Sequence, residues 1–205
     1  MTGGSSWCRG EGSVESPEDQ LSAAIQIVRN FVPSEDVQND ARSAVLEFAA
    51  DHPDALHRSC LSGHFTGSSW VVNHEATSGL ILLHSKVNKW LQPGGHADGD
   101  GFLHMVALRE ATEETGIDGL EVWRDPIDID VHVIEERSAS EPAHLHLDVR
   151  YLVKAPKDAV FQGNHESIDL RWVEEGELED PIFSLDGSTK RLAWYGFALA
   201  ERLLN

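Results

Sequence analysis

Three carboxylates in the run Arg109-Glu110-Ala111-Thr112-Glu113-Glu114-Thr115-Gly116-Ile117 are spaced so that they meet. A helix advances about 100° per residue, so Glu110, Glu113 and Glu114 share one face, while Leu108, Ala111 and Thr115 lie on another and can pack inward. Carboxylates this close repel unless a cation sits among them, and hard oxygen ligands at that density suit Mg²⁺ or Mn²⁺. Arg109, four residues before Glu113, can pin one carboxylate in place. The plain alternative is a helix face that only meets water. Gly94-Gly95 just upstream weighs against it, because two glycines let a turn of backbone approach the helix closely. Asp98-x-Asp100-Gly101 begins like a calcium loop, but its twelfth position is Arg109, where a bidentate carboxylate is needed. The Gly-Lys-Ser/Thr ending of a Walker loop is absent, and no GxGxxG follows a strand.

A second constellation lies downstream. Asp128, Asp130 and His132 alternate along one β-like run, and His144, His146, Asp148 and Arg150 along the next. Paired as a hairpin, the two runs would set both polar rows on one surface, with Ile127, Ile129, Leu145, Leu147 and Val149 facing the core. The functional reading is a substrate wall, with Arg150 on a phosphate and His132, His144 and His146 as donors or an auxiliary metal site. A half-solvated antiparallel pair is the alternative, and a His-x-His pair alone sets no zinc geometry. His96, directly after Gly95, is placed to contact a phosphate or is a plain loop histidine. Trp90 reads as core rather than as a stacking platform, and Cys60 as an idle buried thiol.

The elements that must position these residues follow from periodicity. Residues 21–32 form a helical pattern ending at Pro33, and Ser34 is placed to cap a second helix whose stripe runs through Val37, Ala41, Val45, Leu46 and Ala49 to His52-Pro53. Strands are expected at 68–73, 80–84, 127–134, 144–153 and 168–173. A glycine-rich loop over 93–101 leads into a helix at 102–115 closed by Gly116, and a last helix at 188–204 starts at a capping Ser188. Strands interspersed with helices predict an α/β layered domain over 54–205, preceded by a flexible tail at 1–17 and a helical extension at 18–53. The 205 residues carry 35 acidic against 16 basic side chains, a net charge of −19, which disfavours a nucleic-acid polymer or an anionic membrane as partner. No apolar run approaches the roughly 20 residues of a membrane span. There is no secretory start, and Cys8 and Cys60 make no disulfide framework. A soluble, cytoplasmic protein is expected.

The segment at 95–117 resembles the Nudix box, G-x5-E-x7-R-E-U-x-E-E-x-G-U, read here as Gly95-x5-Gly101-x7-Arg109-Glu110-Ala111-Thr112-Glu113-Glu114-Thr115-Gly116-Ile117. Gly101 stands in place of the first glutamate and Ala111 in place of a bulky aliphatic residue. The resemblance implies an α/β/α sandwich around a mixed sheet, and a Mg²⁺-dependent hydrolase, with Mn²⁺ as substitute, cleaving a nucleoside diphosphate linked to another moiety. It makes Glu110, Glu113 and Glu114 the metal ligands, with Arg109 in the catalytic set and Glu110 the candidate base; the glutamate missing at Gly101 usually braces that arginine. It adds Glu166 as a further acidic ligand, with Gly94, Gly95 and His96 at the phosphates. Asp98 or Asp100 is expected to stand in for the missing glutamate, so that Gly101→Glu should leave activity unchanged or raise it. Many relatives dimerise, which leaves a homodimer open. Two alternatives accompany this reading. An isomerase of isopentenyl-type diphosphates would need a cysteine where Leu91-Gln92-Pro93 stands, and a nucleotide sensor without catalysis is favoured by Gly101 but opposed by the three retained glutamates.

Overall fold

The computed structural model describes residues 7–9, 17–136, 138, 142–164 and 167–204. Among them one mixed sheet of nine strands lies between helices on both faces. The strands are β1 (Trp7–Cys8), β2 (Gly63–Val72), β3 (Ser78–His84), β4 (Lys89–Leu91), β5 (Gly94–His96), β6 (Glu121–Trp123), β7 (Asp128–Ile134), β8 (His144–Lys154) and β9 (Ser167–Glu174). The helices are α1 (Pro17–Asn30), α2 (Asp36–Asp51), α3 (Leu103–Thr115) and α4 (Gly187–Leu204). The sheet runs β1-β6-β8-β2-β3-β4, with β5 against β2, β7 against β8 and β9 against β3. Its centre is the parallel pair β2–β8, in register from Gly63 with Leu145 to Val72 with Lys154. The flexible tail expected at 1–17 lies mostly outside the described residues, but Trp7 and Cys8 pair with Trp123 and Val122.

Alternation along β2 and β8 sorts the two faces. Phe65, Val71, Leu147, Val149, Tyr151 and Val153 point into one core with Val106, Ala107 and Ala111 of α3. Ala24 and Val28 of α1 and Val45 and Ala49 of α2 complete that layer. On the opposite face, Trp70, Val72 and Leu152 pack under Leu192, Ala193 and Phe197 of α4. Helix α4 covers only the C-terminal half of that face. The N-terminal half carries His64, Thr66, Ser68, His146, Asp148 and Arg150 instead.

Local chemistry explains the ends of the elements. Gly116 closes α3 in the left-handed region, φ 67°, and its N–H donates to the Thr112 carbonyl. Ser34 does not cap α2: Gln38 reaches back and accepts from both the Ser34 N–H and its hydroxyl, at 2.9 and 3.0 Å. Nor does Ser188 cap α4, since Asp186 accepts from the Thr189 N–H at 2.7 Å. Ile127 precedes β7 and packs in the second core under α4, away from Ile129, which is in the first.

Candidate active site

Helix α3 presents the acidic face that its spacing predicts. Leu108, Ala111 and Thr115 are buried, Glu110 is half-buried, Glu113 is exposed and Glu114 is buried at the edge of the sheet. Strand β5 brings the Gly94-Gly95-His96 backbone alongside by pairing with Ser68, Gly67 and Thr66 of β2. The approach is close. The Gly94 N–H donates to Glu114 Oε2 at 2.9 Å, and a Cβ on Gly95 would run into the Glu110 carboxyl group. Arg109 locks loop and helix together, with Nη2 donating to the His96 carbonyl and to Glu110 Oε1, each at 2.9 Å. It therefore pins Glu110, not Glu113. Burial pushes the Glu110 carboxyl above its ordinary pKa, with Arg109 pulling the other way and Glu113 adding to the rise.

One cavity of about 560 Å³ joins this helix face to the polar half of the sheet. Arg109, Glu110, Glu113, Glu114, Gly94, Gly95, His96, His132 and His146 all line it, as do Thr66, Ser68 and Asp148. Its size suits a nucleotide-sized molecule. Arg58, Lys86 and Arg109 put cationic groups on its wall. The hydrogen bonds from Arg58, one of them at 2.8 Å, lower the Asp98 carboxyl from its ordinary pKa. Asp98 is thus engaged elsewhere, whereas Asp100 lies 4.0 Å from Arg109 and is the carboxylate nearest the bracing role.

The hairpin is formed as expected, His132 facing His146, Asp130 facing Asp148 and Asp128 facing Arg150. His144 is 8% exposed and lies behind the cavity wall. Arg150 departs from its expected role on a phosphate. It is 2% exposed and donates to Asp148 at 2.7 Å, to Asp130 at 3.1 Å, to Asp128 at 3.2 Å and to the Ser188 hydroxyl at 2.7 Å. With its fork spent on three carboxylates and a serine, it holds β7, β8 and α4 together. Arg191 joins the network through Asp128 and Asp130, and Gln38 of α2 donates to Asp128 at 3.0 Å. Glu166 lies outside the described residues.

Burial sets the charge of the histidines. His146 is lowered to about 2 by burial and by the neighbouring His96, and His96 to about 4 by burial, Arg58 and His64. Both are neutral imidazoles at neutral pH. His64, which faces His146 across the β2–β8 pair, escaped the sequence reading. Its only signal was the alternation of His64, Thr66 and Ser68 ahead of Trp70.

Gly101 brings a further correction. Its N–H donates to Gln20 Oε1 at 2.7 Å, and a Cβ there would overlap the backbone carbonyl of Gln20 in α1. The space a box glutamate would need is taken by the N-terminal helix. Gly101→Glu should therefore displace α1 and lower stability by about 1–3 kcal/mol or more, read as a fall in melting temperature, rather than leave or improve activity. A variant melting like the wild type would contradict this packing.

No protein-family model and no curated protein matches the sequence. Solved structures do. A NUDIX-family hydrolase from Clostridium perfringens is 21% identical with a TM-score of 0.51, the match covering 67% of this chain and 97% of that one. A C. elegans Ap4A hydrolase, solved as a binary complex, is 19% identical with a TM-score of 0.54, covering 67% of this chain and 98% of that one. The chain has the Nudix fold, as its box-like segment implied.

Proposed function

We propose that this protein is a Mg²⁺-dependent hydrolase that cleaves the pyrophosphate linkage of a nucleoside diphosphate joined to another moiety. One observation carries the reading: Glu110, Glu113 and Glu114 meet the Gly94-Gly95-His96 backbone on a single cavity. The residues fit a hard divalent cation. They are carboxylates on one helix face, one of them with its ionised form disfavoured by burial, a cost that a cation among them relieves. Glu110, Glu113 and Glu114 would hold Mg²⁺ or Mn²⁺, with Glu166 a candidate fourth ligand. An ion held there would supply charge neutralisation at the phosphates and a lowered pKa for an attacking water.

The chain's own groups do the rest. Glu110 takes the proton of the water, and Arg109 fixes that carboxylate against the loop. The Gly94-Gly95 backbone, with no side chain in the way, gives the phosphates close access. His96, beside Gly95, and His132, from the hairpin, offer ring nitrogens to the substrate, and His146 lines the same cavity. Arg58 and Lys86 add positive charge beside the phosphates, which an acidic helix alone would repel. The substrate is a small diphosphate, not a nucleic-acid polymer or a membrane, and the setting we propose is cytoplasmic, with a homodimer left open. No helix among the described residues is long and apolar enough to cross a membrane.

A hydrolysis screen over nucleotide sugars, ADP-ribose, dinucleotides, dinucleoside polyphosphates and nucleoside triphosphates, with and without Mg²⁺, tests the reading. Metal-dependent release of a mononucleotide from one class is the expected outcome and names the substrate. Silence across the panel, with a nucleotide still raising the melting temperature, would favour the sensor that Gly101 suggests.

A further inference from the structure

The pyrophosphate chemistry leaves one cluster largely unexplained. His64 of β2 and His144 and His146 of β8 each offer a ring nitrogen, and the three nitrogens lie within 4.8 Å of one another. Ring centroids are 4.9 Å apart for His64–His144, 5.2 Å for His64–His146 and 5.2 Å for His144–His146. His96 stands 5.0 Å from both His64 and His146. Among the described residues no other group of three histidine, cysteine or carboxylate ligand atoms is so closely gathered.

The hydrogen bonds select the tautomers. His64 Nδ1 lies 3.3 Å from the Cys60 carbonyl and His144 Nδ1 lies 2.8 Å from the Pro142 carbonyl. A carbonyl only accepts, so each Nδ1 carries the proton and Nε2 keeps a lone pair. A backbone carbonyl on the far nitrogen is how metal-binding histidines are commonly oriented. The Nε2 atoms of His64 and His146 are buried and have no hydrogen-bond partner, and His64 is only 4% exposed. Leaving such a nitrogen buried and unpaired is costly, and two in one cluster need a reason. Asp148 supplies none, since its oxygens already accept from Thr66, Ser68 and Arg150.

We propose that His64, His144 and His146 form a binding site for one transition-metal ion, best matched by Zn²⁺, separate from the Mg²⁺ of the α3 carboxylates. Imidazole suits Zn²⁺, whereas Mg²⁺ prefers oxygen, so the two sites sort their ions by chemistry. Zn–N bonds of roughly 2.0–2.1 Å place tetrahedral ligands about 3.3 Å apart, which side-chain rotation reaches from the present spacing. Three histidines leave a fourth position for water or His96. His96 and His146 also line the substrate cavity, so the ion would adjoin that space. The proposal does not depend on the hydrolase reading.

The test uses the full chain, stripped of metal with a chelator and then titrated with Zn²⁺ and, separately, Co²⁺ in excess Mg²⁺. The expected result is one Zn²⁺ per chain and, with Co²⁺, the intense visible absorption of a four-coordinate nitrogen site that Zn²⁺ abolishes. His146→Ala and His144→Gln, each checked for native circular dichroism, should weaken Zn²⁺ binding at least about 100-fold, while Glu113→Gln leaves it unchanged. Absence of Zn²⁺ binding and of the Co²⁺ absorption in the wild type would overturn the site. So would binding that survives both histidine variants or is lost with Glu113→Gln. A protein that binds Zn²⁺ in this way yet hydrolyses nothing would uphold this site and defeat the hydrolase reading.

Discussion

Replacing Glu113 by Gln should cut metal-dependent pyrophosphate hydrolysis by at least about 100-fold, an effect of roughly 3 kcal/mol on the barrier, and leave the fold intact. Glu113 is the exposed member of the three carboxylates, so its loss disturbs little packing. The neutral amide keeps the size of the side chain and removes only the charge that would hold the cation. Glu114→Gln should lose activity comparably, but Glu114 also accepts the Gly94 N–H and is buried, so some stability goes with it. Steady-state rates beside thermal melts separate the two effects. Wild-type rates in both variants would sink the metal assignment.

Arg150→Met should be the most destabilising single change in the sheet. The guanidinium is buried against Asp128, Asp130 and Asp148; without it Arg191 would still reach Asp128 and Asp130, and His132 would reach Asp130, but the ion pair to Asp148 would be lost. Breaking a buried pair by removing one partner costs about 3–5 kcal/mol, which for a chain of this size lowers the melting temperature by on the order of 10 °C. A melt within two or three degrees of the wild type, roughly 1 kcal/mol, would show that the network is not structural.

The same network sets acid stability. Burial pushes Asp130 up, but the His132 hydrogen bond, Arg150 and Arg191 outweigh it and hold the carboxyl well below its ordinary range. A carboxylate depressed in the folded state stabilises it above the unfolded pKa, near 3.9, and that contribution is lost as pH falls towards the folded value. Melting temperature should therefore fall below about pH 4, and more shallowly in Arg150→Met. An equal slope in both proteins would remove Asp130 from the account.

These two sites also show what could be read from the residues. The acidic helix was legible because its period, its inward Leu108, Ala111 and Thr115 and, just past its last residue, its closing Gly116 all agree. The histidine hairpin was legible because both runs alternate with period two. His64 was not, because Gly63-His64-Phe65-Thr66-Gly67 carries glycines and small polar groups that read as loop. It becomes strand by pairing in parallel with a run some eighty residues away and, at Thr66 and Gly67, antiparallel with β5. Arg150 has the right chemistry for a phosphate, and only the assembled sheet reveals three carboxylates around it. Gly101 looked like a lost glutamate; the helix that fills its place lies eighty-one positions earlier in the chain.

The account turns on where the hard cation and the diphosphate meet. The most direct measurement is a crystal structure with Mn²⁺ and a non-hydrolysable nucleoside diphosphate analogue, the ion located by its anomalous scattering. The account predicts an ion bound by Glu110, Glu113 and Glu114 and touching the analogue's phosphates beside Gly94 and Gly95. A diphosphate seated in the cavity with those carboxylates bare, or the ion only among the histidines, would contradict it.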